Sequence, residues 1–295
     1  MLSNPARHPA PLVSEPRAIR GMIEDALARA VERGTAHAPP TLRAALRHAV
    51  FPGGARLRPQ LCMAVASACG EEAPSPTRWQ RALASASAIE LVHCASLVHD
   101  DLPCFDDAEL RRGVVTVHRR FGEATAVLVG DGLIVLAFET LAHAGAHDSM
   151  LLLASATGPS RGIIAGQAWE SEPEAISLDE YHRAKTGALF EAAAAAGALA
   201  AGLDPHPWKA FGELVGRAYQ AADDVADVCG DPREKTAARD ETLNRPSLVR
   251  SRGVAGARAR VRELVSAARR ALPSCRGDAQ IAMWLDAFER KLTRF

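Results

Sequence analysis

Two groups of aspartates lie far apart in the chain, each at the end of an apolar helical stretch. They are Asp100, Asp101, Asp106 and Asp107 in the first half and Asp223, Asp224 and Asp227 in the second. Burying unpaired carboxylates is costly, and two acidic groups that met would repel each other unless a cation lay between them. Oxygen ligands without histidine or cysteine favour Mg²⁺. The pattern therefore predicts a divalent-metal site that binds phosphate groups.

The second group has the spacing of an α-helix. Asp223 and Asp227 are four residues apart, so they share one face of a helix. Asp224 is rotated by about 100° from Asp223, so it would reach a metal through water or through a second ion.

In the first group, Pro103 is expected to end or loosen the helix that carries Asp100, which lets Asp106 turn back towards Asp100. The alternative is a pair of solvated acidic helix ends. We favour the metal site because acidic side chains at a helix C-terminus oppose the helix dipole and need compensation.

Cationic side chains accompany the aspartates. Singly, each is more often a solvated surface charge, but together with two carboxylate groups they suit a polyanionic substrate. Mg²⁺ would bind one edge of such a substrate and the cations the other. These residues are Arg56, Arg58, Arg111, Arg112, Lys185 beside Thr186, Lys235 and Arg245.

Composition limits the function classes. The chain has 295 residues, no formal net charge, 48% hydrophobic residues and only 5% aromatic ones. A neutral chain argues against nucleic-acid binding, which usually requires a basic surplus. Because aromatic residues are so few, the core must be aliphatic and rich in alanine.

The six cysteines show no CxxC spacing. We interpret them as buried small hydrophobic residues in a reducing cytoplasm rather than as disulfides or zinc ligands. Met1–Arg17 carries four prolines and no apolar run, so we expect a mobile tail before a single domain over residues 18–295. No stretch is interpreted as a membrane span.

Helical signals dominate, and turn residues separate the helices. We predict an all-α, single-domain fold of about ten helices around a central cavity. The segment Ala82–Val98 is small or aliphatic on nearly every face, which is typical of a central buried helix. Such a helix either packs tightly or borders a cavity, and the aspartates at its end favour a cavity with a polar mouth. The predicted helices lie at about 19–31, 41–51, 77–101, 120–144, 147–169 with an interruption near Gly158-Pro159, 177–202, 207–229, 253–272 and 277–293.

The ordered motifs resemble those of the trans-isoprenyl diphosphate synthase family over roughly residues 20–290. DDxxD alone is a weak signal because terpene cyclases share it, but the full set is specific. The residues within these motifs also resemble those of bacterial geranylgeranyl diphosphate synthases of carotenoid and bacteriochlorophyll pathways. The matching segments are Gly53-Gly54-Ala55-Arg56-Leu57-Arg58-Pro59, the DDxxxxD of Asp100 to Asp106 followed by Arg111-Arg112-Gly113, Gly166-Gln167, Lys185-Thr186 and Tyr219-Gln220 before the DDxxD of Asp223 to Asp227.

The resemblance implies a role for each matching residue. Mg²⁺, about three ions per site and replaceable by Mn²⁺, would bind Asp100, Asp106 and Asp223, with help from Asp101, Asp224 and Asp227. An allylic diphosphate (dimethylallyl, geranyl or farnesyl) would bind Arg111, Lys185, Thr186, Gln220 and Lys235, with Arg245 as a further phosphate contact. Isopentenyl diphosphate would bind Arg58, His93 and Arg112, with Arg56 nearby. The catalytic set is then Asp100, Asp101, Asp106, Asp223, Asp224, Lys185 and Arg111, in a homodimer.

Product length follows from the same resemblance. The growing tail would run beside the helix that ends at Asp100, and Ala95 and Ser96 lie roughly 7 Å below the metal along it. Small side chains there leave the channel open, which predicts a C20 product. The alternatives are a farnesyl diphosphate synthase, a non-catalytic regulatory subunit and a terpene cyclase.

Three positions depart from the family pattern. Ala55 replaces a usual lysine on the isopentenyl side, which removes one ammonium group, and Arg56 is the residue expected to compensate. Glu170 replaces a usual aspartate and Arg245 a usual lysine, so the charge is kept at both.

Overall fold

The computed structural model describes residues 16–70, 75–172, 177–229 and 247–293, and these ranges are mostly helical, which confirms the all-α prediction. One two-residue antiparallel hairpin, β1 (Leu110–Arg111) with β2 (Val114–Val115), is also present. The α-helices are α1 (Pro16–Gly34), α2 (Pro40–Val50), α3 (Leu57–Cys69), α4 (Pro76–Asp100), α5 (Val117–Phe121), α6 (Glu123–His143), α7 (His147–Thr157), α8 (Ile163–Ala168), α9 (Leu178–His182), α10 (Ala188–Ala200), α11 (His206–Cys229), α12 (Leu248–Ala271) and α13 (Asp278–Leu292).

Local chemistry explains some of the helix boundaries. The Ser75 side chain accepts a hydrogen bond from the Arg78 N–H and caps α4. Gly158-Pro159 separates α7 from α8 as predicted. The sequence patterns did not delimit α3 or the short helix α5. The short helices α8 and α9 lie within longer helices that the sequence predicted.

The predicted tail lies mostly outside the described residues. Pro16, the first of the described residues, is also the first residue of α1, and Arg17 is helical as well. The boundary predicted after residue 17 thus falls two residues inside the helix.

Helix α4 lies at the centre of the fold, as predicted. Thirteen of its 25 residues are buried, and it contacts α1, α2, α3, α6, α7 and α10. Its lower half borders a narrow gap against α6, α7 and α10, where the Ser85 hydroxyl donates to Ser149 Oγ at 2.9 Å. The small side chains of α4 thus allow close packing of the surrounding helices.

Two helices, α4 and α6, are long and apolar enough to cross a membrane by length and composition alone. About two thirds of the apolar window of α4 (67%) is buried inside the protein, against 44% of that of α6. A central core helix passes the same test, which accounts for α4. Helix α6 has an exposed apolar face that the sequence analysis did not single out.

Candidate active site

The first aspartate group forms a tight turn at the end of α4. The Asp106 N–H donates to the Asp100 carbonyl at 2.9 Å, so the chain folds back as predicted. Arg111 of the hairpin reaches into this turn. Its Nη2 lies 2.5 Å from Asp101 Oδ1, 3.7 Å from Asp106 Oδ2 and 4.0 Å from Asp100 Oδ2. One guanidinium therefore neutralises part of a three-carboxylate cluster.

Burial makes these carboxyl groups harder to ionise. Desolvation raises the pKa of Asp100, Asp106 raises it further, and Lys185 and Arg111 oppose the shift. Desolvation likewise raises the pKa of Asp101 to about 6. The buried Oδ1 of Asp100 has no hydrogen-bond partner. A hard cation would satisfy that oxygen and relieve the crowding.

These oxygen donors fit Mg²⁺, although their present spacing does not form a closed coordination shell. Within the ranges described, no three His, Cys, Asp or Glu side chains converge closely enough to hold a metal ion. The reason is visible in the geometry, because Arg111 lies between the carboxylates.

The second group lies in the last two turns of α11, and its three aspartates face different surroundings. Asp223 is exposed and Asp227 is half-buried. The pKa of Tyr219 is raised to about 12, mainly by the Asp223 carboxylate and further by burial. Asp223 therefore lies on the same side of α11 as Tyr219, towards the open site.

Asp224 is buried and engaged by internal donors. Its Oδ1 accepts from Gln220 Nε2 at 3.0 Å and its Oδ2 accepts from the Leu248 N–H at 2.7 Å. His182 Nε2 lies 3.6 Å from the same Oδ2. The Leu248 N–H belongs to the first turn of α12, so Asp224 joins α11 to α12. The structure does not bring this carboxylate into the open site.

Lys185 and Thr186 lie in a π-helical turn, Arg183–Gly187, between α9 and α10. Such turns interrupt regular helices at functional sites. Thr186 Oγ1 donates to Gln220 Oε1 at 2.6 Å. Lys185 lowers the pKa of both Asp100 and His182, so it lies within electrostatic range of the first group and of the neighbour of Asp224.

Glu170 holds Lys185 in place, a role that the sequence analysis did not assign to it. Its Oε1 accepts from Lys185 Nζ and from the Tyr181 hydroxyl, and its Oε2 accepts from Gln167 Nε2 at 2.9 Å. The available signal was the Gln167-x-x-Glu170 spacing, which places both side chains on one helical turn.

A second, cationic cluster surrounds Arg58 at the start of α3. Its guanidinium carbon lies 4.7 Å from the Phe190 ring centroid and 5.7 Å from that of Tyr219, and its Nε has no hydrogen-bond partner. Burial lowers the pKa of Arg58, and Arg112 adds to the effect. An anion would satisfy both the free donor and the local positive charge.

His93 and Arg112 complete this cluster. Burial lowers the pKa of His93 well below its ordinary value, and Arg58 and Arg112 lower it further, so the imidazole is neutral. Arg112 Nη1 donates to the Gly53 carbonyl at 2.6 Å. A Cβ on Gly54, whose φ is +147°, would lie 2.3 Å from the same nitrogen. The glycine pair thus makes the space that Arg112 occupies.

Arg56, which was expected near isopentenyl diphosphate, is instead a buried structural residue. Its Nε donates to Glu24 Oε1 at 2.9 Å, its Nη1 to Glu90 Oε1 at 2.8 Å and its Nη2 to the Val50 carbonyl at 2.6 Å. Burial opposes its charge, but Glu24 and Glu90 more than compensate and raise the pKa of Arg56. All three nitrogens are occupied, so Arg56 does not compensate for Ala55. Glu90, the one acid between Ala82 and Val98, was the overlooked signal.

The remaining predicted residues fall into two groups. Ala95 is buried in the core, and the half-buried Ser96 donates to the His93 carbonyl at 2.9 Å. Lys235 and Arg245 lie outside the described residues, so their roles stay predictions.

Comparison with known proteins places this arrangement in a family. The family model described as polyprenyl synthetase matches residues 39–281. The chain belongs to the polyprenyl synthetase family.

Individual relatives agree with this assignment. The chain is 48% identical to a geranylgeranyl diphosphate synthase of Cereibacter sphaeroides, over 92% of this chain and 95% of the relative. It is 44% identical to one of Rhodobacter capsulatus, over 92% of this chain and 94% of the relative. Among solved structures, a Helicobacter pylori geranyltransferase complexed with magnesium and isoprenyl diphosphate has a TM-score of 0.77 at 28% identity, with 100% of both chains covered. The resemblance drawn from the motifs is thereby confirmed.

Proposed function

We propose that this member of the polyprenyl synthetase family is a geranylgeranyl diphosphate synthase. It condenses isopentenyl diphosphate with allylic diphosphates head-to-tail. The observation that carries the proposal is the presence of two separate anion-binding clusters, one built on carboxylates with Lys185 and one on Arg58, His93 and Arg112. A terpene cyclase binds a single diphosphate and has no use for the second cluster.

The chain's own residues divide the work. Asp100, Asp106 and Asp223 would hold Mg²⁺, which supplies charge stabilisation for the departing diphosphate. Lys185, fixed by Glu170, is positioned to bind diphosphate oxygens, and Arg111 is held by Asp101 for the same purpose.

The cationic cluster binds the second substrate. Arg58, stacked on two aromatic rings, presents its free Nε, and Arg112 is anchored by the Gly53 carbonyl. The neutral His93 can donate a hydrogen bond without adding charge. With Ala55 in place of a lysine and Arg56 turned inward, Arg58 and Arg112 are the cations at this subsite in the described part of the chain.

The reaction is tested with the purified chain, MgCl₂, isopentenyl diphosphate and each allylic primer in turn. Chromatography of the dephosphorylated products should show a C20 alcohol as the main product. A C15 end product would identify a farnesyl diphosphate synthase. No turnover would favour a non-catalytic subunit, and release of a hydrocarbon from geranylgeranyl diphosphate would favour a cyclase.

Product length is tested on α4. Ala95→Tyr places an aromatic ring about one and a half turns below Asp100 and should shorten the product from C20 to C15. Ala88→Tyr is the matched control, since it lies two turns deeper and should leave longer products dominant. If both variants still release only C20, the tail does not run beside α4.

The metal requirement is a separate proposal. We expect about three Mg²⁺ ions per site when a diphosphate is bound, with Mn²⁺ as a substitute. Titration calorimetry in the presence of a non-cleavable allylic analogue measures the stoichiometry. A cytoplasmic location stays a prediction.

We also propose a homodimer. Helix α6 exposes Val127, Leu128 and Val135, and α7 exposes Leu151, with fractional exposures of 43%, 58%, 66% and 74%. An apolar face of this kind on a helix that is otherwise long and hydrophobic fits a second copy of the chain.

A further inference from the structure

Two cysteines that are 206 residues apart in sequence meet at the surface of the fold. Cys69 is the last residue of α3, and Cys275 lies in the short segment between α12 and α13. Their sulfur atoms are 2.8 Å apart, closer than two sulfurs that share no bond normally approach. Both side chains are half-buried, so a small reagent in solvent can reach them.

Backbone packing holds this pair together. Gly277 lies against the end of α3, where an added Cβ would be 2.5 Å from the Ala68 carbonyl oxygen and 2.8 Å from the Ala68 Cα. The two segments therefore touch through their main chains, next to both cysteines. The thiols are brought together by the fold rather than by chance side-chain orientation.

A metal site explains the pair less well. Soft metals such as zinc take three or four protein ligands. In the described part of the chain no third His, Cys, Asp or Glu joins these two cysteines in a metal-binding group. Two thiols alone, at this separation, are suited to forming a bond with each other.

We propose that Cys69 and Cys275 form a modification site, a dithiol that closes into an intramolecular disulfide by exchange with a small-molecule disulfide such as oxidised glutathione. One protein thiolate attacks the small disulfide and releases one small thiol. The second protein thiolate then attacks the mixed disulfide and releases the other. The protein loses two protons and two electrons, which reduce the small disulfide to two thiols.

The bond would fasten α13 to α3. The ring centroid of Phe288 in α13 lies 6.4 Å from that of Phe190, and Arg58 of α3 stacks on the Phe190 ring. The disulfide would therefore fix α13 against α3 close to Phe190, which contacts the cationic cluster at Arg58. Because burial and the hydrogen bond to Cys275 raise the pKa of Cys69, its thiolate is scarce near neutral pH and the exchange should accelerate as pH rises.

The experiment uses the full-length chain incubated with oxidised glutathione and then alkylated without reduction. Peptide mass spectrometry should find a cross-linked pair containing Cys69 and Cys275. The melting temperature should rise by at least about 3 °C because the closed loop is long, and dithiothreitol should reverse the rise.

Three variants decide the outcome. Cys69→Ser and Cys275→Ser should each abolish the cross-link and the rise in melting temperature, whereas Cys104→Ser, which changes an exposed cysteine, should abolish neither. Glutathione adducts on single cysteines without a cross-link, or a cross-link through Cys104 or Cys229, would overturn the proposal. Neither result depends on prenyl transfer, so it stands or falls separately from the proposed function.

Discussion

At the residue scale, equivalent-looking side chains in one motif have different physical roles. Asp223 is exposed beside Tyr219, whereas both oxygens of Asp224 are bound by Gln220 and the Leu248 N–H. Arg58, stacked on Phe190 and Tyr219, has an Nε without a hydrogen-bond partner. In Arg56, by contrast, every guanidinium nitrogen donates to an acceptor inside the protein. Sequence motifs therefore identify which residues gather, and burial separates the structural ones from those open to a ligand.

The difference between the two aspartates is testable by amide substitution. Asp224→Asn replaces one acceptor oxygen by a donor and should lower the free energy of unfolding by about 1–3 kcal/mol, because a buried donor then faces another donor. Asp223→Asn, the matched control at an exposed position, should lower stability less than Asp224→Asn does and should reduce Mg²⁺-dependent turnover. Thermal unfolding without metal measures the first effect, and equal melting temperatures for the two variants would contradict the assignment.

His93 gives the protein a pH-dependent stability. Its pKa is lowered in the folded state by burial and by Arg58, so below about pH 6.5 the unfolded chain binds a proton that the folded chain does not. Stability that depends on this group is therefore present above about pH 6.5 and is lost as pH falls, by up to about 1.4 kcal/mol per pH unit.

The measurement is denaturant unfolding between pH 5 and pH 8. His93→Gln should flatten the pH dependence of the unfolding free energy in the acid range, whereas His37→Gln, at an exposed position, should not. An unchanged slope in His93→Gln would mean that His93 binds protons equally in the folded and the unfolded chain.

At the element scale, breaks in regular helix build the site. The hairpin after α4 and the π-helical turn before α10 each present a cation, and the glycine turn before α3 makes room for Arg112. Each of the three breaks lies between two helices that hold it in place. The helices themselves are packed through small residues and supply rigidity. Catalytic groups on such junctions are fixed by both neighbours.

The glycine turn allows an element-level test. Gly54→Ala would drive a methyl group into Arg112 and should raise the KM for isopentenyl diphosphate about tenfold or more, with a smaller effect on the KM for farnesyl diphosphate. Gly53→Ala is the matched control, because its φ of +97° imposes similar strain but its Cβ would meet nothing within 4 Å. Equal changes in the two variants would show that strain, not displacement of Arg112, is responsible.

At the scale of the whole molecule, four of the eleven exposed large hydrophobic residues in the described ranges lie on the neighbouring helices α6 and α7. Most of the buried hydrophobic residues form a single core, in which α4 contacts six other helices. An exposed apolar face beside a well-buried core is typical of a subunit interface.

The dimer is tested by placing charge on that face. Leu128→Glu with Val135→Glu should convert a dimer into a monomer in sedimentation velocity, because burying two carboxylates opposes association. Met283→Glu, which changes an equally exposed apolar residue on α13, should leave the dimer intact. A monomeric parent chain would rule out the interface altogether.

The sequence by itself determined the helical fold, the central place of α4, the fold-back of Asp106 on Asp100 and the membership in the polyprenyl synthetase family. These depend on local periodicity, on the proline after Asp100 and on side-chain types at fixed spacing, all of which can be read along the chain.

Only the tertiary structure decided that Arg56 is a core ion pair, that Asp224 joins α11 to α12, that Glu170 holds Lys185 and that Cys69 meets Cys275. Each of these depends on partners that lie on other turns or other helices, and neither burial nor long-range contact is encoded in the spacing of a motif. Local pattern fixes which groups are available, whereas packing determines which of them are already satisfied and which remain open to a ligand.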